Sequence, residues 1–486
     1  MNFLLHGKYA NPSLALALPI SGGEVFCAYP PLYQLGLLGW MGVFGVSAVS
    51  AMSFHLVLFG ICLLLLLAIF RRLELPAWTV HIAAMFLLVI TFQDRPDSLA
   101  HVFGLAGVYA WIRSRHRVMP RRGWTWAMAT FVILSLATGL QIGGVYFLLV
   151  WIGTLAATFF AKDELPVASL AALVLVPMAL VALVALGFPH LWAGFLEHAR
   201  QTPSLTGWRI PRLAEILKMI RTLPGILAVA VLLPWWFPRR VEFREAGKEM
   251  LWLLALACTL AAMAIIVASM FVLTPNSVFF ASYLQPVIVA SYLAMMPTLT
   301  LARAGSTSPR PAEDRRALPG LARLQAFCFI ALAAIGAIRT IGMSTWGLAC
   351  AADLGYPTAI ESVRAELNSS PSNCLVVLSS AYLYEAARHN NVRWVHSDWM
   401  TPAERGGSNR DLEALISLRP SKLILTQFDF YRRYEPILTQ LKLRPEVSEF
   451  RLANLARTPP PDSFKSLQKV VQHISWAPVI VSLSWK

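Results

Sequence analysis

The sequence predicts an α-helical polytopic membrane protein of about ten transmembrane helices, ending in a small soluble α/β domain. Three observations lead there. Of the 486 residues, 57% are apolar and only 14% charged, and the mean hydropathy of +0.59 lies outside the range of soluble globular chains. Apolar blocks close to the length of a membrane span recur until about residue 342, after which the chain reads as an ordinary water-soluble sequence. Basic residues gather in alternate short connections between those blocks.

A hydrocarbon layer about 30 Å thick needs roughly 17 to 25 helical residues. Blocks near that length run over residues 47–71, 77–93, 97–113, 123–138, 142–161, 166–187, 222–237, 249–272, 278–300 and 323–342. The connections that carry Arg71 and Arg72, then Arg113, Arg115, Arg117, Arg121 and Arg122, then Arg239, Arg240, Arg244 and Lys248, and finally Arg303, Arg310, Arg315, Arg316 and Arg323 belong in the cytoplasm. The opposite connections hold Arg95 and, at 138–142 and 273–277, nothing basic. This topology accounts for the formal net charge of +15 without nucleic acid. It places residues 1–46, the 93–97 turn, the 188–221 loop and the C-terminal region outside a cytoplasmic (inner) membrane that the chain crosses many times.

Residues 31–44 are apolar but about half the length of a span, so they predict a helix lying at the membrane interface, with Tyr33 and Trp40 at headgroup depth. The chain is thereby divided into an outer segment (1–46), a membrane domain (47–342) and an extracytoplasmic α/β domain (343–486). An even number of crossings with both ends outside leads us to expect a further helix ahead of Met1.

In the C-terminal region short β-rich runs alternate with helical ones. We expect strands at Cys374–Ser379, Val392–His396 and Lys422–Thr426, and helices at Tyr382–Arg388, Leu412–Leu418 and Tyr431–Leu441. No Gly-rich phosphate loop, metal-ligand spacing or nucleophile elbow occurs there. His389, His396 and Asp398 form a weak metal set, spread across a strand and a loop with no further ligand of suitable spacing. Trp394, Trp399, Tyr431 and Tyr434 are candidates for stacking on a sugar face, against the alternative of core packing. Among the six cysteines, Cys350 and Cys374 make the one plausible disulfide pair, with Cys62, Cys258 and Cys328 inside apolar segments.

The most expensive charges in the chain sit at Gln93-Asp94-Arg95-Pro96-Asp97, between two apolar blocks. Arg95 can clamp a phosphate, while Asp94 or Asp97 can orient or deprotonate an acceptor. The plainer alternative is an Arg95–Asp97 pair at a helix mouth, with Asp97 stabilised by the helix dipole. In the long outer loop, Arg200, Arg209, Arg212, Lys218 and Arg221 are suited to an anionic group, whether of a substrate or of lipid headgroups.

These motifs carry a family resemblance. The segment His6-Gly7-Lys8-Tyr9-Ala10-Asn11-Pro12, followed by Ala28-Tyr29-Pro30-Pro31-Leu32-Tyr33 and a short apolar helix, resembles the first extracytoplasmic loop of GT-C glycosyltransferases. It looks most like the bacterial enzymes related to protein O-mannosyltransferases and lipid A aminoarabinose transferases. Arg95-Pro96-Asp97 and the turn Thr138-Gly139-Leu140-Gln141 are similar to recurrent features there. The motifs cover residues 1–160, and the remainder is alike in architecture only.

The resemblance implies a GT-C-like fold and transfer of a sugar from a polyprenyl-phosphate donor to an acceptor on the extracytoplasmic face. It implies membrane lipid as surroundings and no cofactor; a divalent cation stays open. On this reading Asp97 and Asp94 are candidate catalytic carboxylates, and Arg95, Tyr29, Pro30, Pro31, Tyr33, Gln141, Arg200, Arg209 and Arg212 border the substrates. The consecutive prolines also fix the entry angle of the interfacial helix. The family places an acidic residue upstream of the segment matching His6–Pro12, where this sequence has none. Glu24 or Asp97 is then the substitute, a preceding segment supplies it, or the protein is inactive in transfer and acts in membrane assembly. A transporter or lipid flippase is the rival class, but the ionisable groups lie at the rims and not at mid-membrane in paired broken helices.

Overall fold

The computed structural model describes residues 32–75, 97–115, 121–161, 167–187, 246–271, 282–284, 286–288, 356–386, 392–397, 408–454 and 478–486, together with 81, 84, 189 and 389. It is mostly helical, with one five-stranded sheet toward the C-terminal end. The helices before the sheet are α1 (Leu32–Phe44), α2 (Ala48–Arg72), α3 (Asp97–Ser114), α4 (Arg121–Thr138), α5 (Leu140–Ala161), α6 (Val167–Gly187) and α7 (Ala246–Phe271). The ends of α2 to α7 fall within three residues of six of the apolar blocks. The blocks at 222–237 and 323–342, and all of 77–93 except 81 and 84, lie outside the described residues, and 278–300 is seen as a 3-10 turn at Ser282–Leu284 and helical residues 286–288. Among the described residues one helix, Val49–Arg72, is long and apolar enough to cross a membrane.

Local chemistry sets the ends of α2. Ser47 has extended backbone and its hydroxyl accepts from the Ser50 amide at 3.0 Å, which satisfies one orphan donor of the first turn. At the other end Arg71 and Arg72 complement the negative pole, and the chain leaves the helix through Glu74 at φ 55°. Along α2 one face is buried through Ala51, Phe54, Leu58, Cys62, Leu66 and Ile69. The opposite face, Val49, Met52, Leu56, Ile61 and Leu64, is equally apolar and exposed. A helix apolar all round with one open face is built for apolar surroundings on that side.

Helix α3 packs against α2, α4 and α5, and α5 packs in turn against α7. Ala100, Leu105, Val108, Ala110, Trp111 and Ile112 of α3 are all buried. Small residues permit the close approach. A Cβ on Gly107 would lie 3.0 Å from Val132 Cγ2, and one on Gly153 of α5 would lie 2.7 Å from Trp111 Cζ2. Arg113, at the end of α3, covers the Trp124 ring at 4.9 Å.

The sheet has strands β1 (Cys374–Leu378), β2 (Val392–His396), β3 (Lys422–Thr426), β4 (Val447–Asn454) and β5 (Pro478–Trp485), in the order β2-β1-β3-β5-β4. The first three are parallel, and β5 joins β3 and β4 antiparallel. Helices α8 (Tyr356–Asn368), α9 (Ser408–Leu418) and α10 (Glu435–Lys442) complete the domain. Strand alternation sends Val377, Leu423, Leu425, Val479 and Val481 to one core with Leu412, Leu415, Ile437 and Leu441, and Val376, Leu378, Ile424 and Ile480 to another with Val363 and Leu367. The sheet is thus covered on both faces, as parallel strands require. Asp411 and Arg433 tie α9 to the π-helical turn Phe430–Tyr434 through two hydrogen bonds of 2.8 Å. The outer strand β4 carries an exposed Glu449–Arg451 pair and a bulge between Val447 and Glu449.

Strands β2 and β3 occupy the expected residues and β1 ends one residue early, whereas α8, β4 and β5 add to the expected elements. Two expectations are corrected. Tyr434 is fully buried and donates its hydroxyl to the Ser397 carbonyl at 2.7 Å, while Tyr431 and Trp394 are partly buried against the two cores; they are packing residues, not a sugar platform. Trp399 lies outside the described residues. Cys374 carries a free thiol on β1, which removes the bridge to Cys350.

Adjacent glycines of α5 give a test of the packing. A Cβ on Gly143 would meet the Leu136 backbone at 2.4 Å, whereas one on Gly144 meets nothing within 4 Å. Gly143→Ala is expected to lower thermal stability in detergent by about 1–3 kcal/mol, and Gly144→Ala to leave it unchanged or raise it slightly.

Candidate functional site at one end of the helical bundle

Helices α1, α2 and α3 meet near their amino ends. Tyr33, in the first turn of α1, is buried, and its hydroxyl lies 3.0 Å from His55 Nε2 on α2. The other nitrogen of His55, Nδ1, lies 3.4 Å from Ser98 Oγ on α3. Side chains from three helices are so joined through one imidazole. At Gly36 the helix lies close to its neighbours, since a Cβ there would make ordinary contact at 3.4 Å with Leu99 Cδ2 and Phe54 Cζ. Trp40 adds a bond from its indole N–H to Ser53 Oγ at 3.0 Å.

A second polar pair lies one turn further along α3. His101 follows Ser98 by three residues and so shares its side of the helix. Its Nδ1 is hydrogen-bonded to the hydroxyl of Tyr146 on α5, and the ring of Tyr283 stands edge-on at 5.1 Å. From α4, Ser135 donates to the Ala100 carbonyl at 2.6 Å. Ser98, His101, Ser135, Tyr146 and Tyr283 are all buried. The opposite ends of the same helices carry Arg71, Arg72 and Arg113. Among the described residues of α2 and α3, one end is therefore basic, and toward the other, buried uncharged hydrogen-bonding side chains gather just inside Asp97.

Asp97 is the first residue of α3, immediately before Ser98, and Gln141 is in the first turn of α5. Tyr33 is turned inward to His55 and not toward headgroups, because its hydroxyl finds a buried partner. Glu24, Tyr29, Pro30, Pro31, Asp94, Arg95, Arg200, Arg209, Arg212, Lys218 and Arg221 lie outside the described residues, as does Asp398 of the weak metal set. Among the described residues no group of three His, Cys, Asp or Glu side chains is placed to hold a metal ion. Sequence reasoning missed His55, His101, Tyr146 and Tyr283. The signal was there for the histidines: each is an ionisable residue inside an apolar block, which is itself grounds for suspecting a site.

Neither the known protein families nor the curated proteins contain a match to this sequence. Among solved structures, the chain is similar to ArnT from Cupriavidus metallidurans in the apo state, at 16% identity and a TM-score of 0.48 over 98% of this chain and 92% of that one. The same protein bound to undecaprenyl phosphate gives 14% identity and a TM-score of 0.46 over 98% and 93%. An Archaeoglobus fulgidus oligosaccharyltransferase tethered with an acceptor peptide gives 11% and 0.43 over 87% and 63%. At TM-scores below 0.5 these likenesses carry no further conclusion.

The Tyr33–His55 contact can be measured directly. Tyr33→Phe is expected to cost about 1 kcal/mol of stability, and a double-mutant cycle with His55→Phe should show coupling of similar size. Additivity of the two substitutions would mean that the bond does not hold α1 in place.

Proposed function

We propose that this chain is an integral membrane glycosyltransferase of GT-C type, transferring a sugar from a polyprenyl-phosphate donor to an acceptor on the extracytoplasmic face. One observation carries the reading. The segment Ala28–Tyr33 and the turn Arg95-Pro96-Asp97 are far apart in sequence, yet the residues at their inner edges, Tyr33 and Ser98, meet the two nitrogens of one histidine. Tyr33, which closes one of the two stretches that resemble the family, and Ser98, which follows the other, are therefore brought to one place, at the end of α2 and α3 away from Arg71, Arg72 and Arg113.

Such a transfer needs a clamp on the departing phosphate, a carboxylate to take the acceptor's proton, and an apolar groove for the prenyl chain. In this proposal Arg95 is the clamp and Asp97, Asp94 or Glu24 the carboxylate, with Tyr29, Pro30, Pro31, Gln141, Arg200, Arg209 and Arg212 bordering the substrates. Ten crossings place residues 343–486 and the site outside the inner membrane, and the exposed apolar face of α2 suits a helix in lipid.

Two outcomes test it. In membranes, Arg95→Ala and Asp97→Asn are each expected to lower release of polyprenyl phosphate from a polyprenyl-phosphate sugar by at least about a hundredfold, with the protein still folded and inserted. Full activity in both variants would remove the site. A cysteine introduced at Ser277 should react with an impermeant thiol reagent added from outside; labelling only after the membrane is opened would reverse the orientation.

A further inference from the structure

His101 is fixed from two points. It is 1% exposed, and the Tyr146 hydroxyl is bonded to its Nδ1. One turn on, Gly104 makes room for the Tyr146 ring, because a Cβ there would sit 2.0 Å from Cδ2 of that ring. Gly104 seats the tyrosine and His101 takes its hydroxyl, so the imidazole is held in one orientation. The remaining nitrogen, Nε2, is buried and has no hydrogen-bond partner among the described residues. Leaving such a group unpaired in an apolar bundle is costly, and it calls for an explanation.

The tautomer follows from the partners. A phenol is the better acid and an imidazole nitrogen the better base, so Tyr146 donates to Nδ1 and the proton of the neutral ring resides on Nε2. Nε2–H is thus a donor in want of an oxygen. His101 stands four residues into α3 from Asp97, about 6 Å along the axis and just past the first turn.

We propose that His101 Nε2 donates a hydrogen bond to a phosphate oxygen of the polyprenyl-phosphate donor, with Tyr146 as its positioning residue. This rests on the glycosyltransferase reading. Tyr283, packed on the imidazole, belongs to a single 3-10 turn just ahead of Pro286, where regular helical bonding is interrupted. The donor reaches Nε2 by displacing that ring.

The test is equilibrium binding of polyprenyl phosphate to the purified full chain in detergent. His101→Leu is expected to weaken binding about 10- to 100-fold, the loss of one charge-assisted hydrogen bond. His101→Gln, whose amide nitrogen can reach the place of Nε2, should restore most of it, and Tyr146→Phe should fall between. If the leucine variant is not recovered folded, His101→Asn takes its place, since its amide reaches only as far as Nδ1 and the same loss is expected. Wild-type affinity in the leucine or asparagine variant overturns the inference while leaving the proposed function standing. The same His101 dependence with phosphatidylglycerol would mark a general headgroup contact and also overturn it. A wild-type chain that neither binds polyprenyl phosphate nor transfers sugar would bring down the proposed function itself.

Discussion

Helix α3 is enclosed by neighbours on three sides, and much of the bundle is arranged to meet that condition. Polar side chains on a helix so enclosed are buried, and several of them draw partners from other helices. Ser98 is met by His55, His101 by Tyr146, and the Ala100 carbonyl receives a second donor from Ser135. The glycines serve the same end: Gly104 and Gly107 bring α5 and α4 near enough for those bonds to form. Packing and polar chemistry are one arrangement here.

The consequence is a separation of charge along the bundle. Among the described residues of α2 and α3, the full positive charges Arg71, Arg72 and Arg113 lie at the carboxyl ends, where the helix poles favour them. Imidazoles, phenols and hydroxyls, which can donate or accept without carrying a full charge, gather at the amino ends of α2 and α3. A phosphate-bearing ligand that displaced the Tyr283 ring would meet at His101 a donor already oriented by Tyr146. The α/β domain contrasts with this. Several of its charged groups are matched internally, as in Asp411–Arg433 and Glu385–Arg364.

How much was legible in the sequence depended on whether a signal was local. Block ends at Thr138, Ala161 and Gly187 are helix ends in the structure, because apolar run length is a local property. Strands β2 and β3 occupy the expected residues for the same reason: Val392, Trp394 and Val395 in one and Leu423, Ile424 and Leu425 in the other are β-prone residues close together in sequence. Strands β4 and β5 went unread, since their pairing joins stretches distant in sequence and β4 carries Glu449 and Arg451 in its middle. Composition also cannot say which side of a helix is inward. Tyr33 and Tyr434 therefore looked like surface aromatics until their hydroxyls were seen to end on His55 and on the Ser397 carbonyl. The charged turn at residues 93–97 was conspicuous in the sequence, whereas the histidines were diluted among apolar neighbours and became visible as a site only when three helices converged on them.

The margins of the β-sheet have a bearing on how copies of this chain behave together. Strand β4 lies at one margin with an exposed ion pair and a register shift, and β2 at the other is five residues long with Arg393 exposed. A sheet finished this way offers a poor template for another strand. Crowding on a surface would raise the rate at which such domains collide without favouring strand-to-strand pairing at these two margins.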